Sequence, residues 1–259
     1  MKLGILGGTF NPIHNGHIAI ANHAQKELKL DKILFTPSCT PPHKKNANIT
    51  DYPNRMAMVE LAIKGYPYFQ PSDFDYTPGT SSYTKHLIEA CQLVYPCSEI
   101  FFIIGGDQLS KLHTWYAIEW LFEQVTFVAF YRPGAEADLS KLTSYLDRIV
   151  QLEMEPIDIS SEQIRARLKE GLSVEGMLPD SVLEFIQKYQ LYRYLQDASA
   201  TTIKPLPRLF IQIKSKPIKT RQIGVITSRY TGSRNQSLFL IIISVFLIER
   251  RHAIFPHTP

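Results

Sequence analysis

The chain has 259 residues, 44% of them hydrophobic and 20% charged, a balance that suits a folded globular protein of one large domain or two small ones and argues against wholesale disorder. Its three cysteines, Cys39, Cys91 and Cys97, are too few and too scattered for a disulfide framework or a cysteine-built zinc site, and they fit a reducing, cytoplasmic setting. The net charge of +4 divides into +8 over residues 196–259 and −4 over residues 1–195, so the basic balance belongs to the tail and says nothing about a nucleic-acid face on the main domain, for which no nucleic-acid partner is expected.

Residues 2–6 are a short apolar run closed by Gly7-Gly8, which predicts a buried strand. The same glycines cut the N-terminal apolar stretch short, so no signal peptide or membrane span is expected there. Ile18, Ile20, Ala21, Ala24 and Leu28 recur at an imperfect helical spacing over 16–30. Residues 32–36 read as a second strand stopped by Pro37, and Thr50 or Asp51 as the cap of a helix carrying Met56, Val59, Leu61, Ala62 and Ile63. A weak strand over 69–74 and a helix over 82–95 follow. Residues 99–105 hold Phe101-Phe102-Ile103-Ile104, the continuous apolar run of a strand covered on both faces. Residues 115–123 predict a helix, 125–131 a strand and 139–146 a helix. Residues 149–152 and 157–159 predict short strands or extended segments, and 161–170 and 180–189 two last helices. Strands alternate with helices throughout, so the expected class is α/β with a doubly wound parallel sheet. Ligands are then expected at the strands' carboxyl ends, after Leu6, Thr36, Phe74, Gly105 and Tyr131.

The expected domain is 1–195. Residues 196–259 lack the alternation, carry Pro205, Pro207 and Pro217 among basic residues, and are expected to be poorly ordered. Their apolar run, 238–248, is too short to cross a bilayer. Contact with a membrane surface, packing on the main domain and a recently acquired extension without function all stay open for it.

The segment 7–17, GGTFNPIHNGH, joins the first strand to the first helix. Gly7 and Gly8 allow close backbone approach, and a helix N-terminus offers N–H groups and a positive dipole end to phosphate. His14 and His17, three apart, share one side of the first turn. The loop is neither GxGxxG nor GxxxxGK[ST], so the usual dinucleotide and P-loop sites are disfavoured. A zinc site is weakly supported, since no third ligand lies at a recognisable spacing. Either histidine alone reads as a solvated or structural side chain; together with the glycines and the helix entry they read as a functional site.

GTFNPIHNGH (8–17) resembles the (H/T)xGH element of the nucleotidyltransferase superfamily, specifically that of bacterial nicotinate-nucleotide adenylyltransferases. TPSCTPPHKK (36–45), SSYT (81–84), FIIGGDQLSKLHTW (102–115) and ISSEQIR (159–165) are similar, in order, to further elements of that family. The resemblance covers about residues 1–195. It implies transfer of the adenylyl group of ATP to nicotinate mononucleotide, with Mg²⁺ carried by the ATP. An attacking phosphate monoester is largely dianionic at neutral pH, its second pKa being about 6, so the reaction needs alignment and charge neutralisation rather than a general base.

The resemblance also implies roles for single residues. His14, His17 and Arg165 are the catalytic candidates. Gly7, Gly8, Thr9, Phe10, Asp107, Arg132, Ser160 and Ser161 join them around ATP, with backbone N–H groups near Gly8, Thr9 and Phe10 cradling phosphate. Thr9, Phe10, His43, Lys44, Thr84, Trp115 and Tyr116 are implied around the mononucleotide, the Trp115 indole stacking on the pyridine ring. Read without the resemblance, 43–45 is a solvated basic turn, Trp115 a core aromatic, and Ser160 with Gln163 a capping box. Asp75 is expected to meet the ligand or orient the following loop. The chain departs from the family pattern at Glu162, Pro78 and Gly106. The rival readings are another adenylyl- or cytidylyltransferase of this fold and a non-catalytic nucleotide-binding protein. The SYT and ISSxxIR elements argue against the first, and the presence of both histidines against the second.

Overall fold

A computed structural model describes residues 1–39, 49–77, 82–131, 138–155 and 157–192. The chain divides into two units, Met1–Ala198 and Ser199–Pro259. The second, and with it every expectation for the tail, lies outside the described residues.

The first unit alternates strands and helices: β1 (Lys2–Gly8), α1 (Asn15–Leu28), β2 (Lys32–Pro37), α2 (Tyr52–Ile63), β3 (Phe69–Pro71), α3 (Thr84–Val94), β4 (Glu99–Gly105), α4 (Gly106–Leu109), α5 (Ile118–Gln124), β5 (Val125–Tyr131), β6 (Ile149–Glu153), α6 (Ser161–Lys169) and α7 (Asp180–Lys188). The strands form one sheet in the order β3-β2-β1-β4-β5-β6, every pairing parallel. This is the doubly wound α/β architecture read from the sequence.

Side chains alternate across the sheet with the strand period of two. Leu3, Ile5, Ile100, Phe102, Ile104, Val125, Phe127 and Ala129 pack on the face covered by α3 and α5. Leu6, Ile33, Phe35, Phe101, Ile103, Val128 and Phe130 pack on the other, covered by α1, α2, α6 and α7. The apolar runs of β4 and β5 are therefore continuous because both faces are dry. Chain order reverses at β1. From it the strands run outward to β2 and β3, then return to its other side as β4. The segments after β1 and β4 consequently leave to opposite faces, and the crevice between their carboxyl ends is where such sheets bind ligands.

Three local expectations are corrected. The helix expected over 115–123 starts only at Ile118, because Ala117 is left-handed (φ 56) and Trp115 closes a 3₁₀ turn, its N–H donating to the Leu112 carbonyl at 3.0 Å. The helix expected over 139–146 is a kinked 3₁₀ segment, Thr143–Arg148, whose Tyr145 leaves helical angles; its ring stacks on Phe122 with centroids 4.2 Å apart. No strand forms over 157–159. The Ile159 N–H donates to the Ile157 carbonyl at 2.8 Å, a tight turn that leads into α6. Among the described residues no helix is long and apolar enough to cross a membrane.

Candidate active site

β1 delivers the chain to the crevice through Gly8, where a Cβ would lie 3.1 Å from the Phe10 ring. Phe10 is left-handed (φ 46) and only 2% exposed. Its ring turns inward, edge-on to His17 with centroids 5.0 Å apart and against Phe35 at 6.1 Å. Phe10 thus anchors the loop in the core, and only its backbone is left to face a ligand.

His14 is the N-cap of α1 and His17 lies on its first turn. Their rings lie against each other, tilted by 33°, with centroids 3.7 Å apart. The His14 backbone N–H donates to His17 Nδ1 at 3.2 Å. An accepting Nδ1 has no proton, so neutral His17 carries its proton on Nε2 and presents a donor. Burial brings the His14 pKa down to about 4. The His17 pKa lies well below its ordinary value, through burial first and the neighbouring His14 second. Both imidazoles are therefore neutral near pH 7, and a polyanion brought against them favours their charged forms. His14 Nδ1 is buried without a partner among the described residues and lies 3.0 Å from where a Cβ on Gly16 would sit. Glycine at 16 is what gives that ring room.

The start of α1 is less open to anions than expected. The Asn15 N–H donates to the Met177 carbonyl at 3.0 Å and the His17 N–H to the His14 carbonyl at 2.9 Å, which leaves Gly16. The start of α6 is more open. Ser160 caps it by accepting from the Gln163 N–H at 3.1 Å, while the Ser161 and Glu162 N–H groups have no partner among the described residues. The capping box is half formed: Gln163 Oε1 is buried without a partner, so no reciprocal bond closes it. Glu162 is exposed on this first turn, where an acid suits the helix dipole.

α6 is fastened directly to the histidine loop. Ser161 Oγ donates to the Pro12 carbonyl at 2.8 Å, and Arg165 Nη1 to the Asn11 carbonyl at 2.7 Å. The imidazoles and the α6 terminus thus lie on one crevice, although they are nearly 150 residues apart in the chain.

Three residues of this arrangement were not singled out in the sequence. Arg55 on α2 donates to the Thr9 carbonyl at 2.7 Å and the Thr50 carbonyl at 2.8 Å. The Asn11 side chain accepts from the Tyr192 hydroxyl at 2.9 Å and the Thr50 N–H at 3.2 Å. Tyr192, whose pKa burial raises to about 12, stays a hydroxyl donor at ordinary pH. The available signal was an arginine in phase with Met58, Val59 and Ala62 on the buried side of α2.

On the other face of the sheet, a Cβ on Gly7 would meet the Phe102 ring at 3.3 Å, and Phe102 is edge-on to Trp115 with centroids 6.0 Å apart. Trp115 is half-buried and also meets Phe127, so it is partly the core aromatic of the plainer reading. Tyr116 is exposed and packs on Tyr83, the residue before Thr84 at the start of α3, with centroids 5.0 Å apart. Asp75 is buried, its carboxylate accepting from the Cys39 N–H at 3.3 Å and from Ser82. It ties the loops after β2 and β3 together, in keeping with an orienting role. His43, Lys44, Pro78, Ser81 and Arg132 lie outside the described residues, as does the Asp107 side chain. Among the described residues no three His, Cys, Asp or Glu side chains cluster to hold a metal.

The Cytidylyltransferase-like family profile matches residues 5–167. A curated Clostridium tetani protein named probable nicotinate-nucleotide adenylyltransferase is 38% identical over 198 residues, 74% of this chain and 99% of its own length. A Clostridium perfringens protein of the same name is 40% identical over 198 residues, 74% and 98% of the two chains. Among solved structures, nicotinic acid mononucleotide adenylyltransferase from Plasmodium falciparum superposes with a TM-score of 0.62 at 18% identity, covering 74% of this chain and 96% of that one. A putative nicotinate-nucleotide adenylyltransferase from Vibrio parahaemolyticus gives 0.54 at 27% identity with the same coverage. Five ordered motifs, the β1–β4 crevice and relatives matched over nearly their whole length agree: this chain belongs to the nicotinate-nucleotide adenylyltransferase family.

Proposed function

We propose that this protein transfers the adenylyl group of ATP to nicotinate mononucleotide, giving nicotinate adenine dinucleotide and pyrophosphate. The observation that carries the reading is the fastening of α6 to the histidine loop through Ser161 and Arg165. It ties the segment carrying the two imidazoles to a helix start with two N–H groups that have no partner among the described residues, which supports a shared polyphosphate site. A phosphate oxygen of the mononucleotide attacks the α-phosphorus, and the bond from that phosphorus to the bridging oxygen breaks. The electron pair leaves on pyrophosphate, and no proton has to be removed from the dianionic nucleophile. His17, donating through Nε2, meets charge growing on the α-phosphate, with His14 beside it. Arg165 and the α6 terminus face the departing β- and γ-phosphates. Mg²⁺ would be carried by the ATP rather than by a protein cage, and would supply further neutralisation of phosphate charge beside the imidazoles and Arg165. Trp115, Tyr116 and Thr84 receive the pyridine end, and His43 and Lys44 the mononucleotide phosphate.

The test is direct. Purified protein given ATP, Mg²⁺ and nicotinate mononucleotide releases one pyrophosphate per dinucleotide formed. Release that requires phosphopantetheine, or no release with any mononucleotide, rejects the reading.

A further inference from the structure

Arg55 is the most deeply buried charged side chain among the described residues, 1% exposed. A buried guanidinium ordinarily meets a carboxylate. Among the described residues none lies within ion-pair distance of this one. Its donors go to backbone carbonyls of three separate segments: Nη1 to Thr9 at 2.7 Å, Nε to Thr50 at 2.8 Å and Nη2 to Cys39 at 3.4 Å. Its carbon lies 5.5 Å from the centre of the Tyr52 ring, a cation–π contact that keeps the fork in place.

The Thr9 contact bears on the anion site. The Thr9 carbonyl belongs to the peptide before Phe10, the left-handed residue of the loop. In a trans peptide C=O and N–H point in opposite directions, so holding the Thr9 oxygen toward α2 turns the Phe10 N–H away from it. That N–H has no hydrogen-bond partner among the described residues. Beyond Phe10, Arg165 holds the Asn11 carbonyl at 2.7 Å. A left-handed backbone at a bulky residue persists only where its surroundings over-determine it, and here arginines pin a carbonyl on each side.

We propose that Arg55 is a positioning residue of the anion site: by holding the Thr9 carbonyl it fixes the Phe10 turn and aims the Phe10 N–H at a phosphate oxygen. The identity of that phosphate rests on the adenylyl-transfer reading; the orienting role does not. Arg55→Lys keeps a charge but cannot reach three carbonyls at once, and Arg55→Met removes both charge and donors.

The experiment measures pyrophosphate binding by calorimetry for the unmodified protein and both variants, each well below its melting temperature, beside steady-state kinetics for both substrates. Both folded variants are expected to bind pyrophosphate more than threefold more weakly, about tenfold in size, with a similar fall in kcat. A dissociation constant within threefold of the unmodified protein's in both, whatever their melting temperatures, overturns the proposal and leaves a purely structural pin. Should neither variant fold, the unmodified ¹⁵N-labelled protein decides: the Phe10 amide and Arg55 Nε–H resonances shift together on adding pyrophosphate, and an unmoved Phe10 amide overturns the proposal. Pyrophosphate binding without turnover of nicotinate mononucleotide contradicts the proposed reaction and leaves the role of Arg55 standing.

Discussion

The two buried, adjoining imidazoles make the protein acid-sensitive in a defined window. The pKa of His14 falls from 6.5 in the unfolded chain to about 4 on folding. Between those values the unfolded chain binds more protons than the native state. The stability contributed by neutral His14 is therefore complete above about pH 6.5 and is lost as pH falls toward 4. The size of the loss is on the order of 3 kcal/mol from this residue alone, readable as a drop in urea midpoint from pH 7 to pH 4.5. A bound polyphosphate restores part of it, because the anion favours the protonated rings. His17→Ala removes the Nε2 donor and the bond to the His14 N–H. It is expected to lower kcat roughly 10²–10³-fold while ATP binding by calorimetry changes little. The His14/His17 pair was legible in the sequence because both residues follow a glycine-closed strand at helical spacing. Arg55 was not, since an arginine on a helix reads as a solvated charge until the loop that folds over it is known. Phe10 carried the opposite ambiguity: nothing local says that its ring turns inward and leaves only its backbone for a ligand.

At the scale of elements, the site depends on α6 being held against the β1–α1 loop. Ser161→Ala deletes the bond to the Pro12 carbonyl, costing about 1 kcal/mol of stability and raising KM for ATP more than it lowers kcat. Ser160→Ala removes the cap, costs a similar amount, and shifts the melting temperature by a comparable step. Gly106 opens α4 at the end of β4, where a Cβ would lie 2.6 Å from the Phe130 carbonyl. Gly106→Ala is therefore expected to destabilise this chain by spreading β4 from β5. A thermal melt checks it, and an unchanged midpoint contradicts it. β4 and β5 were read from sequence to the residue because strands dry on both faces leave unbroken apolar runs. Residues 157–159 misled because Ile-Asp-Ile alternates like a strand while its backbone closes a tight turn. The late start of α5 follows from a left-handed alanine, which composition does not signal.

Across the whole molecule, topology brings residues from the two ends of the domain onto one crevice. The order β3-β2-β1-β4-β5-β6 puts the reversal at β1, and α6, after the last strand, returns to the loop after the first. Parallel order was legible from the strand–helix alternation; that α6 docks on the loop was legible only through the resemblance of its motif. Curated relatives are matched over 98–99% of their length by 74% of this chain. A protein ending at residue 198 is accordingly expected to keep kcat/KM for both substrates within twofold, measured by pyrophosphate release. A loss of tenfold or more would assign the remaining residues a part in the reaction.

The measurement that bears most directly on a shared polyanion site is a titration of ¹⁵N-labelled protein with inorganic triphosphate. It follows the imidazole nitrogens of His14 and His17 together with the backbone amides of Ser161 and Glu162. All four residues are expected to shift with one dissociation constant, the imidazoles moving toward their protonated form as they do so. Shifts confined to one of the two segments, or two separate dissociation constants, would contradict a shared site.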